Sequence, residues 1–429
     1  NTSGAQNTGI GASALMGYGG TVTGSDNTGV GYFAAGKTTT GTGNTSVGAR
    51  SLCTNVTASY NTAVGYCALL TNSGAYNTAV GVVSLCSNTT GSCNTVIGYA
   101  AGRCDTSACQ VTFVGMNAGN KNTADYTTAV GFGALANNTS SSGNTAVGFC
   151  ALTVNTGASN TALGNQALKN NSTANANVAV GTKAAQVTTT GANNVAMGTE
   201  AMQCNTEGCR NVAVGHSALK SSDCASFNVA VGYLAMFDNT TGYQNVAVGY
   251  GSLENNTTGN NSTALGQGSL GANTEGSANT AIGKSAMLDN TSGSLNTAVG
   301  EAALSNNTTA SCNTAVGGNA LYTNTTGCFN TAAGNGAMQS NTCGICSTAM
   351  GRNALYSNTE GHCNVGIGSG ALYANTTGCY NVALGTRTML SNTTARYNVG
   401  LGNQAMHNNT TGECNIAIGM CTNYSNVSA

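Results

Sequence analysis

A short apolar phrase and a polar phrase alternate along this chain with a fixed period. Asn-Thr-Ala-Val-Gly, or its Val variant, is followed by Ala-Leu or Ala-Met and then by Asn-Thr-Thr-Gly, and the cycle returns about every 17 residues. With the opening Asn as position 1, the anchors run Asn160, Asn177, Asn194, Asn211, Asn228, Asn245, Ser262, Asn279 and on to Asn415, without a slip. Upstream they are Asn7, Asn27, Asn44, Asn61, Asn77, Asn94, Val111, Thr127 and Asn144, with three 16-residue periods and a first one of 20. A period this short leaves no room for a helical hairpin. It predicts an all-β chain, a parallel β-solenoid (β-roll) of about 25 coils with a 17-residue repeat.

Within a coil the pattern predicts two short strands. Positions 1 to 5 form the first, closed by a Gly suited to a positive-φ corner, as at Gly181, Gly215, Gly249 and Gly300. The second holds Ala at position 8 and Leu or Met at position 9, as in Ala218-Leu219 and Ala235-Met236, and Asn-Thr-Thr-Gly makes the turn. Strand neighbours point to opposite faces, so the apolar pair Ala179-Val180 and the pairs at positions 8 and 9 predict a second buried surface outside each coil; the alternative is that one residue of each pair sits at a bend and only one face is buried. A single coil of Ala, Val and Leu is also thin. Side-by-side packing of several copies is therefore expected, with three around an axis favoured. The stacked Asn at position 1 is expected to form an amide ladder that leaves no buried amide unpaired.

Composition refines this picture. Nothing breaks the pattern between residues 1 and 429, so a single continuous solenoid domain is expected rather than several globular ones. Apolar residues make up 40% of the chain, which argues against the alternative of a disordered low-complexity tract. The net charge is −1 with no basic run, so no nucleic-acid partner is expected. No apolar stretch reaches the roughly 20 residues that a membrane helix needs, and no membrane insertion is expected. Residues 1–6 read as positions 12 to 17 of a coil and residues 426–429 as positions 12 to 15, so both ends are expected to be uncapped. An open coil could then be continued by another copy, giving end-to-end stacking.

Candidate chemistry is sparse. His216, His362 and His407 occupy positions 6, 16 and 10, and the acidic residues are scattered singly, so neither an enzyme nor a cofactor is expected. Tyrosines gather at position 6 (Tyr66, Tyr99, Tyr233, Tyr250) and position 10 (Tyr322, Tyr356, Tyr373), where they either cover an edge or face a ligand.

Cysteines and sequons are more frequent. Of the eighteen cysteines, Cys104 with Cys109 and Cys204 with Cys209 flank the turn, while Cys312 and Cys328, Cys346 and Cys363, and Cys363 and Cys379 lie one coil apart. All are disulfide candidates, because stacked positions fall within the separation that a disulfide tolerates. The alternative is free thiols acting as small fillers, as Cys150 and Cys421 could. The acceptor pattern for N-linked glycans recurs at position 12, at Asn55, Asn88, Asn138, Asn171, Asn239, Asn256, Asn290, Asn307, Asn324, Asn375, Asn392 and Asn409, with Asn1 and Asn426 in the same frame. If these turns project outward, covalent glycans and an extracellular location are expected.

The stretches Asn61–Leu69 (NTAVGYCAL), Asn144–Leu152 (NTAVGFCAL) and Asn211–Leu219 (NVAVGHSAL) resemble the head repeats of trimeric autotransporter adhesins of the YadA-like kind, and related repeats of phage and virus fibres. The shared core is NxAxGxxA, and it covers nearly the whole chain. The resemblance implies a left-handed parallel β-roll, a trimer, and a surface that binds host matrix or cells. This chain departs from that pattern in its longer repeat and its many cysteines. The expected function is a structural subunit of an extracellular, glycosylated fibre; the alternative is an adhesin or tail-fibre shaft binding host carbohydrate or protein.

Overall fold

The computed structural model describes residues 3–424. The chain groups into two compact units, Asn1–Arg210 and Asn211–Ala429, and each is a stack of coils of one design. The N-terminal unit contributes twelve three-residue strands, from Thr8–Ile10 to Val195–Met197, and the C-terminal unit thirteen, from Val212–Val214 to Ile416–Ile418. Within each unit every strand pairs in parallel with that of the next coil, like on like. Thr145, Ala146 and Val147 face Thr161, Ala162 and Leu163 in one unit; Val229, Ala230 and Val231 face Val246, Ala247 and Val248 in the other. Helix is almost absent among the described residues. A 3-10 turn at Tyr18–Gly20 sits in the extra length of the 20-residue coil. The fold is thus the expected parallel β-solenoid with a repeat of about 17 residues.

Shortened coils lose a residue from the turn and keep everything else. In a full coil the position-12 amide donates to the carbonyl three residues on, as Asn239 Nδ2 does to Gly242 O at 2.9 Å. In the 16-residue coils Asn72, Asn122 and Asn155 donate two residues on, to Gly74, Ala124 and Gly157, at 2.6–2.8 Å. Strand register is unaffected, with Thr62 still opposite Thr78.

Among the described residues the predicted second strand does not form at positions 8 and 9, and a second pairing appears at positions 11 and 12, between Asn137–Asn138 and Val154–Asn155. Strand alternation holds at positions 3 and 4, where Ala is buried and Val, Leu, Ile or Met stays partly in water. At positions 8 and 9 it fails, because both residues are buried, as with Ala218 and Leu219 or Ala235 and Met236. The cause is backbone handedness. Residues at positions 7 and 9 adopt left-handed φ, such as Ser217 at 55° and Leu219 at 53°, which rotates two consecutive side chains to the same side. Holding a non-glycine residue there costs on the order of 1–2 kcal/mol. Complete burial of the Leu, worth roughly 1.5–3 kcal/mol, offsets it. The outward apolar surface expected at positions 8 and 9 therefore does not exist, and that at position 4 does.

Position 5 is glycine for two reasons at once. Gly249 has φ 137°, and a Cβ there would meet Gly266 O at 2.6 Å in the next coil. Gly251, at position 7, has φ 57°, but a Cβ there meets only the flexible end of Glu254. Other coils carry Asn at position 7, as at Asn319 and Asn353. Gly249→Ala is expected to cost about 3 kcal/mol or more of local stability, and Gly251→Asn less than about 1 kcal/mol. Amide hydrogen exchange across residues 245–270 checks this; equal loss of protection in both variants would contradict it.

Candidate functional site

Position 12 points into the coil. All twelve sequon asparagines, from Asn55 to Asn409, are buried at 0–1% exposure, the opposite of the outward projection expected from their turn chemistry. In the C-terminal unit the amides from Asn239 to Asn409 form an unbroken ladder in which each Nδ2 donates to the Oδ1 of the preceding coil. Asn256 donates to Asn239 at 2.6 Å, Asn273 to Asn256 at 2.7 Å, Asn307 to Asn290 at 2.7 Å and Asn409 to Asn392 at 3.3 Å. Position 1 forms a second ladder, in which the Asn245 backbone N–H donates to Asn228 Oδ1 at 2.9 Å. The Nδ2 groups of Asn228 and Asn239 both end on Gly242 O, at 2.9 Å each, which pins the turn to the strand. A glycan linked to a position-12 nitrogen would replace a ladder donor and has no room inside the coil. This corrects the reading of these residues as outward glycan carriers. Asn1 and Asn426 lie outside the described residues.

Among the described residues Cys104, Cys109, Cys204, Cys312 and Cys328 carry free thiols. At position 16 the thiol acts as a hydrogen-bonding group. The backbone N–H groups of Ser92, Ala192, Ser311 and His362 donate to Cys109, Cys209, Cys328 and Cys379 Sγ at 3.3–3.4 Å. Ser277 Oγ does the same for Asn260 N at 3.0 Å, so these cysteines stand where other coils use a hydroxyl. Cys363 does lie beside Cys346 and Cys379. Burial pushes its thiol up, and the two neighbouring thiols push it further. Cys67 neighbours both Cys53 and Cys86, a juxtaposition that the repeat frame did not reveal, because these residues occupy different positions of successive coils.

The outer strand face carries the constant chemistry of the surface. Position 4 is apolar in every coil of both units, yet partly exposed; Leu265, Val316, Met350 and Leu401 are 43–45% exposed. Rings at position 6 stack from coil to coil beside it: Phe132 on Phe149 at 5.3 Å, and His216 on Tyr233 on Tyr250 at 5.3 and 5.4 Å. At position 10, Tyr356 stacks on Tyr373 at 5.1 Å and His407 on Tyr424 at 4.9 Å. The three histidines are not brought together. His362 Nδ1 accepts the Ile345 N–H at 3.1 Å, the role of a position-16 side chain. Charged side chains pair one coil apart at the surface, as Lys284 and Glu301 do at 3.9 Å, where such pairs add little stability.

Among the described residues the interior holds one carboxyl group. Asp105 occupies position 12 with 0% exposure, between Asn88 and Asn122. Its Oδ1 accepts the N–H groups of Ser107 and Ala108 at 3.2 and 3.0 Å. Its Oδ2 stands where the ladder supplies an N–H, and both Asp105 Oδ2 and Asn88 Oδ1 are left without a partner. Two acceptors meet there unless the carboxyl keeps its proton, which would then serve as the missing donor. Burial raises the Asp105 pKa to about 6, against the lowering effect of its backbone and Asn122 hydrogen bonds. The other orphaned atoms sit on the same ladder, at Thr38, at the Asn171–Thr188 step and at its last described amide, Asn409. A non-Asn residue in the position-12 column, as at Thr38, Asp105 and Thr188, is the sequence signal for all but the last of these, and an outward-facing turn hides it.

Compared with known proteins, the chain matches no family model and no curated protein.

Two outcomes follow from the interior ladder. Between pH 4 and 6 the unfolded chain releases the Asp105 proton while the folded one keeps it, so stability falls as pH rises through this window, by about 3 kcal/mol for a shift of about two units. Asp105→Asn restores the donor, and is expected to remove that dependence and raise stability at pH 7; denaturant midpoints at pH 4 and pH 7 for both proteins check it. Expression in a glycosylating host should yield folded protein with bare position-12 asparagines, and glycopeptide mass spectrometry showing full occupancy on folded material would contradict the inward geometry.

Proposed function

We propose that this chain is a structural subunit of a fibre, and that its coils associate side by side with copies of itself through the outer strand face. One observation carries this reading: position 4 faces water in an isolated coil stack and is nonetheless never polar, from Ile10 to Met197 in one unit and from Val214 to Ile418 in the other. A solvent-facing position on a strand tolerates Thr, Lys or Glu, and a constant apolar column is the mark of a covered one. A stable pair covers roughly 800 Å² per partner, which over the thirteen coils of the C-terminal unit is about 60 Å² each. A half-exposed Val, Leu or Met at position 4 supplies that. The occupant is a second copy, because a column repeating at the coil spacing is matched in register only by another such column.

A second reading, an adhesin or tail-fibre shaft that binds host carbohydrate or protein, is favoured by the stacked rings at positions 6 and 10, which offer aromatic surface along the coil edge. Placement outside the cell keeps the resemblance to adhesin-head and fibre repeats behind it, since the sequons are interior.

The test replaces Val231, Val248 and Leu265 with Lys in one variant. The unmodified protein is expected to form multimers or fibres by sedimentation and electron microscopy, and the variant single chains with an unchanged circular dichroism spectrum. A wild-type chain that stays single at high micromolar concentration would overturn the reading.

A further inference from the structure

The edge of the C-terminal unit carries a notch whose chemistry is unlike that of the surface around it. It opens at Gly370, where position 7 lacks a side chain, and has a volume of about 320 Å³. Arg352 lies one coil before this glycine and Arg387 one coil after, and both line the opening. Each guanidinium is exposed, and neither has an ion-pair or hydrogen-bond partner among the described residues. Ser369 and Asn353 add a hydroxyl and an amide to the rim, and no carboxylate lines it. Tyr373 and Leu390 form the remaining wall, the tyrosine held by its stack on Tyr356 at 5.1 Å and an interplanar angle of 5°.

We infer that this notch binds the sulfate or carboxylate group of an acidic polysaccharide, with the oxyanion between Arg352 and Arg387 and the sugar against Tyr373. The chain holds only 12 Lys and Arg in 429 residues, so two unpaired arginines on one small opening are not a by-product of a basic surface. Guanidinium is the side chain best matched to a planar or tetrahedral oxyanion, through paired N–H donors. The open edge admits a chain that continues past the notch in both directions, while the glycine leaves room for one charged group. This deepens the ligand-binding reading and is independent of side-by-side assembly, because the notch lies at positions 6, 7 and 10 and the covered column at position 4.

Binding of dextran sulfate, of neutral dextran of equal length and of inorganic sulfate is measured by calorimetry on the full chain at low and physiological salt. Dextran sulfate is expected to bind, and neutral dextran is not; inorganic sulfate binding as tightly per group would overturn the polysaccharide assignment in favour of a free anion. R352Q/R387Q together should weaken binding about tenfold or more, the loss expected from removing charge-assisted hydrogen bonds. R50Q/R103Q, an equal change of charge in the N-terminal unit, should alter it less than twofold. G370N fills the notch while keeping both arginines, and position 7 already carries Asn with φ 53° at Asn353. This variant should fold normally by circular dichroism and lose binding as well. Equal losses from both arginine pairs, or full binding by G370N, would overturn the inference. Single chains that still bind the sulfated polymer would separate failure of lateral assembly from failure of this site.

Discussion

The rest of this structure depends on buried amides whose partners are supplied by the turn beside them and by the neighbouring coil. A side-chain amide inside an apolar coil needs donors and acceptors at fixed spacing, and an unmet one costs about 1–3 kcal/mol. At positions 1 and 12 these partners include the equivalent residue one coil away, so the ladder needs Asn, or at position 1 a hydroxyl such as that of Ser262 or Ser347, at the same place in each turn. The 17-residue period follows from that requirement. Shortening is tolerated in the turn, where Asn72, Asn122 and Asn155 reach a carbonyl one residue closer, and the ladder itself is left intact. Where the column is interrupted at Thr38, Asp105 and Thr188, polar atoms lose their partners, and at Asp105 a proton becomes the natural substitute.

With polar groups lining part of the interior, the apolar core must be assembled from few atoms. Ala at positions 3 and 8 and Leu or Met at 9 supply it, and the left-handed backbone at positions 7 and 9 is what brings two consecutive side chains inward. Taking both inward leaves position 4 as an outward position that is apolar in every coil, with further exposed apolar residues at positions 2 and 17 in some coils. The exterior is thereby simplified to a constant column on the strand face and a variable edge at positions 6, 7 and 10, where rings stack, ions pair and glycine opens notches. A constant face suits assembly with identical copies, and a variable edge suits recognition of something else.

The candidate sites were legible to different degrees. Cysteine spacing correctly identified Cys346, Cys363 and Cys379 as neighbours. It could not show that a position-16 thiol takes a backbone N–H just as Ser277 does, since both residue types fit that role. The sequons misled because Asn, Thr and Gly serve a turn and a ladder equally well, and local propensity does not say which way the Asn side chain rotates. The Arg352–Arg387 notch was invisible as well. Its members lie 35 residues apart, and only stacking places them one coil to either side of Gly370.

By itself the sequence determined the period, the parallel in-register stacking, a first strand within positions 1 to 5 and the glycine corner, because each follows from repetition and from local backbone sterics. The tertiary structure alone decided which residues face inward at positions 8, 9 and 12. That choice turns on left-handed φ at non-glycine residues and on hydrogen bonds to the next coil, and neither has a counterpart in an isolated repeat. A side chain's direction here is set by what lies above and below it, and those neighbours exist only once the chain has wound.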